Sequence, residues 1–305
     1  MKDILIIGAN GFTGRQILND LSQQSKYKVT GSSLHADVQP ANAANYRFIE
    51  TDIRDFATTR QLFEAIRPDV VINNSALSVP DYCELHREEA YQMNVTAVEQ
   101  LAHLCEAYGS RFIHLSTDFV FDGEAMQLYT EEHTPAPVNY YGSTKWKGEE
   151  KVAGICSNYA IVRVAIVYGK TLPGQHGNIV ELVIKRLQEG KEIRVVADQW
   201  RTPTHVEDVS QGVSLLVESN ANGIFHICGN DCLSIAEVAL LVAQSMGADQ
   251  SLIHPVTTDE MNEATPRPRF SGMSIQKAQS LLGYSPRSME AGIKQIIGEL
   301  NRPKV

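Results

Sequence analysis

The chain predicts an α/β fold, a doubly wound parallel sheet followed by a smaller C-terminal lobe. Two observations predict it: a glycine-paced turn directly behind the first apolar run, and short apolar strands that alternate with helical stretches over the first two thirds of the chain. The turn is Gly8-Ala9-Asn10-Gly11-Phe12-Thr13-Gly14, after the run Ile4 to Ile7 and before the amphipathic stretch Arg15 to Leu21. A strand running through such a turn into a helix aims backbone N–H groups and a positive helix end at one spot, which suits a pyrophosphate. Glycine serves where the backbone bends sharply or approaches phosphate oxygens. The spacing is G-x-x-G-x-x-G rather than G-x-G-x-x-G, so its position carries more weight than its pattern.

Further strands are expected at Lys28 to Thr30, Arg47 to Glu50, Val70 to Asn73, Phe112 to Leu115 and Ala160 to Val164. The longest helical stretches between them are Glu84 to Ala107 and Tyr140 to Val152. Strands alternating with helices imply right-handed crossovers and a Rossmann-type sheet. After Gly169 the pattern loosens into Pro173-Gly174-Gln175-His176-Gly177, and helices follow at Ile179 to Glu189, Ile235 to Met246 and Ile275 to Leu282. Residues 1–170, completed by parts of 203–230, are expected to form the dinucleotide-binding domain, and 171–305 mainly a substrate lobe.

The net charge of −9, with both signs interspersed, argues against a nucleic-acid partner. No apolar run approaches the roughly 20 residues needed to cross a bilayer, which argues against a membrane protein. The cysteines at 83, 105, 156, 228 and 232 form no C-x-x-C pair, and no secretory segment precedes them, so reduced thiols in the cytoplasm are expected. His226, Cys228 and Cys232 imitate a metal cluster, but no fourth ligand stands at zinc spacing and no metal is predicted.

Ligands of open α/β sheets bind at the carboxyl ends of the strands, and two motifs fall there. The fifth strand ends in Leu115-Ser116-Thr117-Asp118, and the helix after it carries Tyr141-Gly142-Ser143-Thr144-Lys145. Tyrosine and lysine at this spacing share one helix face. An ammonium near a phenol favours the phenolate and brings the phenol toward useful proton transfer at neutral pH. Tyr141 is therefore the candidate proton donor to a carbonyl oxygen, and Thr117 the candidate hydrogen-bond donor to that same oxygen.

With these residues the chain resembles the extended short-chain dehydrogenase/reductase superfamily. The resemblance implies a cofactor site at Gly8, Gly11, Phe12, Thr13 and Gly14, an adenine contact at Asp52 and Ile53, and a cofactor loop at Ser75-Ala76-Leu77. It implies a catalytic set of Thr117, Tyr141 and Lys145, with Asn94 supporting the lysine through a water. More narrowly, Ser116-Thr117-Asp118-Phe119-Val120-Phe121-Asp122-Gly123, Val167-Tyr168-Gly169 and Arg201-Thr202-Pro203-Thr204-His205-Val206-Glu207-Asp208 resemble dTDP-4-dehydrorhamnose reductases. Those enzymes reduce the C4 ketone of a dTDP-6-deoxysugar with NADPH or NADH. Phe119 and Ile166 depart from the tyrosine and tryptophan usual there, which points to altered sugar contacts. Arg15-Gln16 stands where some members carry a magnesium-binding glutamate, again predicting no metal. The same strings, with Thr134 to Pro137, also resemble the regulatory subunit of methionine adenosyltransferase, a non-catalytic NADP binder. A sugar-nucleotide epimerase or dehydratase is a further alternative, although Asp118-Phe119 offers one acidic residue where a dehydratase usually has more.

At the end of the second strand, Gly31-Ser32-Ser33-Leu34-His35 has no carboxylate before Asp37. Ser32 and Ser33 can donate hydrogen bonds and Arg15 can add charge, so NADPH is expected, with NADH as the alternative. For a nucleotide-sugar substrate the candidates are Thr117, Asp118, Phe119, Ile166, Gln199, Arg201 and Arg267, because guanidinium matches phosphate oxygens in a fork. A homodimer through helices Glu84 to Ala107 and Tyr140 to Val152 is implied by the resemblance.

Overall fold

The computed structural model describes residues 1–38, 43–125, 127–172, 174–175 and 177–300. Strands β1 (Lys2–Ile7), β2 (Tyr27–Ser33), β3 (Tyr46–Glu50), β4 (Val70–Asn73), β5 (Arg111–Thr117) and β6 (Tyr159–Val164) join the later strand Gly223–His226 in one seven-stranded sheet. Its order is Gly223–His226, β6, β5, β4, β1, β2, β3, and every pairing is parallel. The direction of winding reverses between β1 and β4, which puts the ligand crevice at their carboxyl ends.

Both faces of this sheet are covered, which is why its inner strands read as continuous apolar runs. In β1, Ile4 and Ile6 pack with Ile17 and Leu18 of helix α1 (Phe12–Ser22) and with Val209 and Val213 of helix Val206–Glu218. Leu5 and Ile7 face the other way, toward Phe63, Val98 and Leu101 on helices Phe56–Ile66 and Ala97–Tyr108. The edge strand Gly223–His226 is shielded on its open side. Lys277 Nζ donates to Ile224 O at 2.7 Å, and Glu131 accepts from His226 N at 2.9 Å.

The expected helix Glu84 to Ala107 is divided into Pro80–Leu85, Arg87–Tyr91, a π turn at Gln92–Thr96 and Ala97–Tyr108. His86, at φ −122 and ψ 54, leaves the helical region and separates the first two pieces. The π turn inserts one residue at Asn94, a common distortion at functional sites. In the C-terminal part, helices Ile179–Gln188, Ile235–Met246 and Met289–Leu300 build their own core around Val183, Val242 and Ile293. Among the described residues three two-stranded pairings accompany them, one being Ile193–Val196 with Ile253–Val256. Of the loosened segment 173–177, Pro173 and His176 lie outside the described residues.

Candidate active site

The glycine turn is packed backbone to backbone. Gly8 has φ +76, and a Cβ there would stand 2.7 Å from Ser75 N; a Cβ on Gly14 would stand 2.2 Å from Gly8 O. Gly11 is the N-cap of α1 and lacks a side chain to satisfy the first turn, which leaves those N–H groups for an anion. Beside the turn is a cavity of about 290 Å³ lined by Gly8, Gly11, Ser33, Asp52, Ile53, Ser75 and Ala76. Ser32 is not among its lining residues. It lies beneath the turn, where its carbonyl accepts from Gly8 N at 2.9 Å and Ala9 N at 3.0 Å. Asp52 is gripped by Arg54 at 2.7 Å, and that hydrogen bonding holds its carboxyl below the usual range.

Arg15 does not offer unopposed charge at the second strand. Its guanidinium is buried, 2.6 Å from Asp37 and 2.8 Å from Asn10 Oδ1, and Tyr46 donates its hydroxyl to the same Asp37. Ser33 and His35 line the cavity at the end of β2.

A second cavity, of about 470 Å³, brings together Phe12, Thr13, Ser116, Thr117, Asp118, Tyr141, Lys145 and Ile166. Helix Tyr140–Ile155 starts at Asn139, whose side chain accepts from Gly142 N at 2.8 Å, and this cap sets Tyr141 in the first turn against Thr117. Burial pushes the Tyr141 phenol up, and a hydrogen bond with Thr117 opposes that. Lys145 and Tyr141 line the same cavity, with no direct hydrogen bond between their side chains. Lys145 Nζ donates to Leu115 O at 2.7 Å and lies 3.4 Å from His114 Nε2, and burial lowers its pKa to about 8. Ser116 Oγ is buried with no partner among the described residues.

The Asn94 side chain is bonded within the protein. Its amide accepts from Leu77 N at 2.9 Å and donates to Leu77 O at 2.9 Å and Thr144 Oγ1 at 3.0 Å. It thus clamps the loop after β4 to the helix of Tyr141. Leu77 packs with Cys83, Ala90 and Tyr141 and does not line either cavity.

A third cavity, of about 300 Å³, is lined by Phe119, Ile166, Gln199, Arg201, Glu263 and Arg267, and Ile166 and Ile179 line both this cavity and the second. Ile166 has φ +34, a left-handed conformation that strains a β-branched residue and marks a position the surrounding structure enforces. The Phe119 ring lies 5.8 Å from that of Tyr141, edge to face. Arg201 is not a free phosphate fork. It donates to Pro268 O at 2.6 Å and Trp200 O at 2.8 Å and pairs with Asp118 at 3.4 Å. Gln199 is likewise bonded to Glu263 at 2.9 Å and Thr258 at 3.2 Å. Arg267 is 31% exposed and 3.1 Å from Glu263, and it lines this cavity together with Arg194. Asp118 is fully buried and accepts from Ser271; burial raises its pKa and Arg201 opposes that.

Asn73, Asn74 and His114 also enter the site's framework. Lone polar residues in apolar strands give no periodic signal, and their pairing is visible only after β4 and β5 align, with Asn73 opposite His114.

This sheet order, with a glycine turn at the switch point and a Thr-Tyr-Lys cavity beside it, defines the class: a Rossmann-type protein of the short-chain dehydrogenase/reductase kind. The family model of the RmlD substrate binding domain matches residues 1–302, and the chain belongs to that family. It is 30% identical over 301 residues to the spore coat polysaccharide biosynthesis protein SpsK of Bacillus subtilis, covering 98% of both chains. It is 31% identical over 299 residues to methionine adenosyltransferase 2 subunit beta of Xenopus laevis, covering 96% of this chain and 86% of the relative. Among solved structures, dTDP-4-dehydrorhamnose reductase of Bacillus anthracis in complex with NADP superposes with a TM-score of 0.83 at 28% identity, covering 98% of this chain and 99% of that one.

Proposed function

We propose that this protein reduces the C4 ketone of a nucleotide-linked deoxysugar with NADPH, most simply dTDP-4-dehydro-L-rhamnose to dTDP-L-rhamnose, with NADH as the alternative donor. The observation that carries this reading is that Thr117, Tyr141 and Lys145 line one cavity with the start of α1 and with the unpartnered Ser116 hydroxyl. The packed glycine turn and the uncapped first turn of α1 fit a pyrophosphate, and the cavity of Asp52 and Ile53 fits an adenosine. When bound, the nicotinamide supplies the hydride. Tyr141 gives its proton to the carbonyl oxygen, Thr117 donates a hydrogen bond to that oxygen, and Arg267 meets the substrate diphosphate. In this reading 1–170, completed by parts of 203–230, serve the cofactor and 171–305 mainly the substrate. The protein works in the cytoplasm as a homodimer, through the helices that carry Asn94 and Tyr141.

A second reading is a non-catalytic NADP-binding subunit, supported by the 31% identity to methionine adenosyltransferase 2 subunit beta. A dehydratase gains less support, because the Asp118 carboxylate is already bonded to Ser271 and Arg201. The experiment is loss of NADPH absorbance with dTDP-4-dehydro-L-rhamnose, for the wild type beside Tyr141→Phe. Turnover that drops at least about a hundredfold in the variant, the usual weight of general acid catalysis, is expected. Tight NADPH binding without oxidation would favour the second reading.

A further inference from the structure

We propose that His114 is a positioning residue for Lys145: Asn73 and Ser75 fix its ring proton on Nε2, so that this N–H faces the Lys145 nitrogen seated on the Leu115 carbonyl. The assignment follows from one group whose role admits no choice. A backbone N–H only donates, and Ser75 N points at the Asn73 side chain at 3.1 Å, so the Asn73 oxygen faces Ser75. The Ser75 hydroxyl donates to the same oxygen at 2.6 Å. The Asn73 nitrogen therefore faces His114 Nδ1, at 3.1 Å, and because an amide nitrogen only donates, Nδ1 is the acceptor. A neutral ring that accepts at Nδ1 carries its proton on Nε2. Burial keeps the ring neutral, holding His114 well below the usual histidine range.

Nε2 lies 3.4 Å from Lys145 Nζ. An N–H facing an ammonium is repulsive, whereas facing an amine lone pair it makes a hydrogen bond, so this tautomer lowers the proton affinity of Lys145 beyond what burial does. The other ionisable groups around the lysine are Tyr141 and Glu149 on its own helix, Asp118 at the end of β5 and Arg163 on β6. Glu149 is held by Arg163 at 2.6 and 2.9 Å, and Asp118 by Ser271 and Arg201, so no carboxylate hydrogen-bonds Nζ among the described residues. The chain Ser75, Asn73, His114, Lys145 also links two cavities, since Ser75 lines the first and Lys145 the second. A ligand that takes the Ser75 N–H away from Asn73 frees the tautomer, lets Nε2 accept, and raises the proton affinity of the lysine.

The catalytic use of this link rests on the reductase reading; the tautomer does not. In the ligand-free full chain, two-bond ¹⁵N–¹H correlation should find the His114 proton on Nε2, and ¹³Cε-lysine titration should find Lys145 with the low midpoint. His114→Phe should move that midpoint up by about one pH unit, and His114→Gln, whose amide can donate in the same place, should leave it low. A proton on Nδ1 overturns the proposal without any variant; so does an unchanged midpoint in a folded His114→Phe protein. The predicted tautomer and midpoint in a protein that oxidises no NADPH with any ketosugar would sink the reductase reading and leave this one standing.

Discussion

Asp118 and Arg201 meet at 3.4 Å with side chains 3% and 2% exposed, and they fasten the end of β5 to the segment around Pro268. Burial pushes the aspartate up and the arginine down, and their attraction opposes both shifts. Removing one partner strands a buried charge and empties the hydrogen bonds to Trp200 and Pro268. Arg201→Ala should therefore lower the unfolding free energy by about 3–5 kcal/mol in urea titration. A loss confined to substrate affinity, with stability intact, would return Arg201 to a binding role.

Gly142 stands where helix Tyr140–Ile155 touches the loop after β5, and a Cβ there would be 2.1 Å from Phe119 O. The obstacle is backbone, so relief comes from displacing Tyr141 relative to Thr117. Gly142→Ala should reduce turnover about a hundredfold, the scale of a misplacement near 1 Å. NADPH affinity, measured by fluorescence, should change far less. Equal damage to both would mean that the substitution disturbs the whole helix.

Arg267 lines the third cavity and is half-buried beside Glu263, whereas Arg201 is buried and bonded to backbone carbonyls. Arg267→Ala should raise KM about tenfold with little change in kcat, the signature of binding shared by ground and transition states. A fall in kcat alone would contradict it.

His205 and His226 are buried, and burial lowers them to about 4 and about 3. Between these values and the ordinary histidine value of about 6.5 the unfolded chain binds more protons than the folded one. Their contribution to stability is complete above about 6.5 and is lost as pH falls toward 4 and 3, with a slope of at most about 2.7 kcal/mol per pH unit for the pair. His226→Gln should flatten the measured dependence by about half of that. An identical slope in the variant would show that other groups govern the acid limb.

Some elements are legible in the sequence because local chemistry closes them. Helix Ile235–Met246 begins at a capping box of Ser234 and Glu237 and ends at left-handed Gly247, and its expected bounds coincide with the observed ones. Val70–Asn73 is buried at all four positions and is likewise found where its apolar run lies. The helix expected over Glu84 to Ala107 fails for a reason its periodicity does not carry. The apolar spacing continues through His86 and the π turn, while the backbone breaks to bring Asn94 to Leu77.

The sequence by itself determined the sheet, the glycine turn and the gathering of Thr117, Tyr141 and Lys145 at strand ends, because periodicity, caps and turn residues act over a few neighbours. Tertiary structure alone decided where the polar side chains point. Lys145 turns to Leu115, Arg201 to Pro268, Asn94 to Leu77 and Thr144, and Asn73 to His114. These partners lie 17 to 67 residues apart and meet only once the strands are paired and the helices laid down. A buried polar group takes whichever partner that geometry brings within reach.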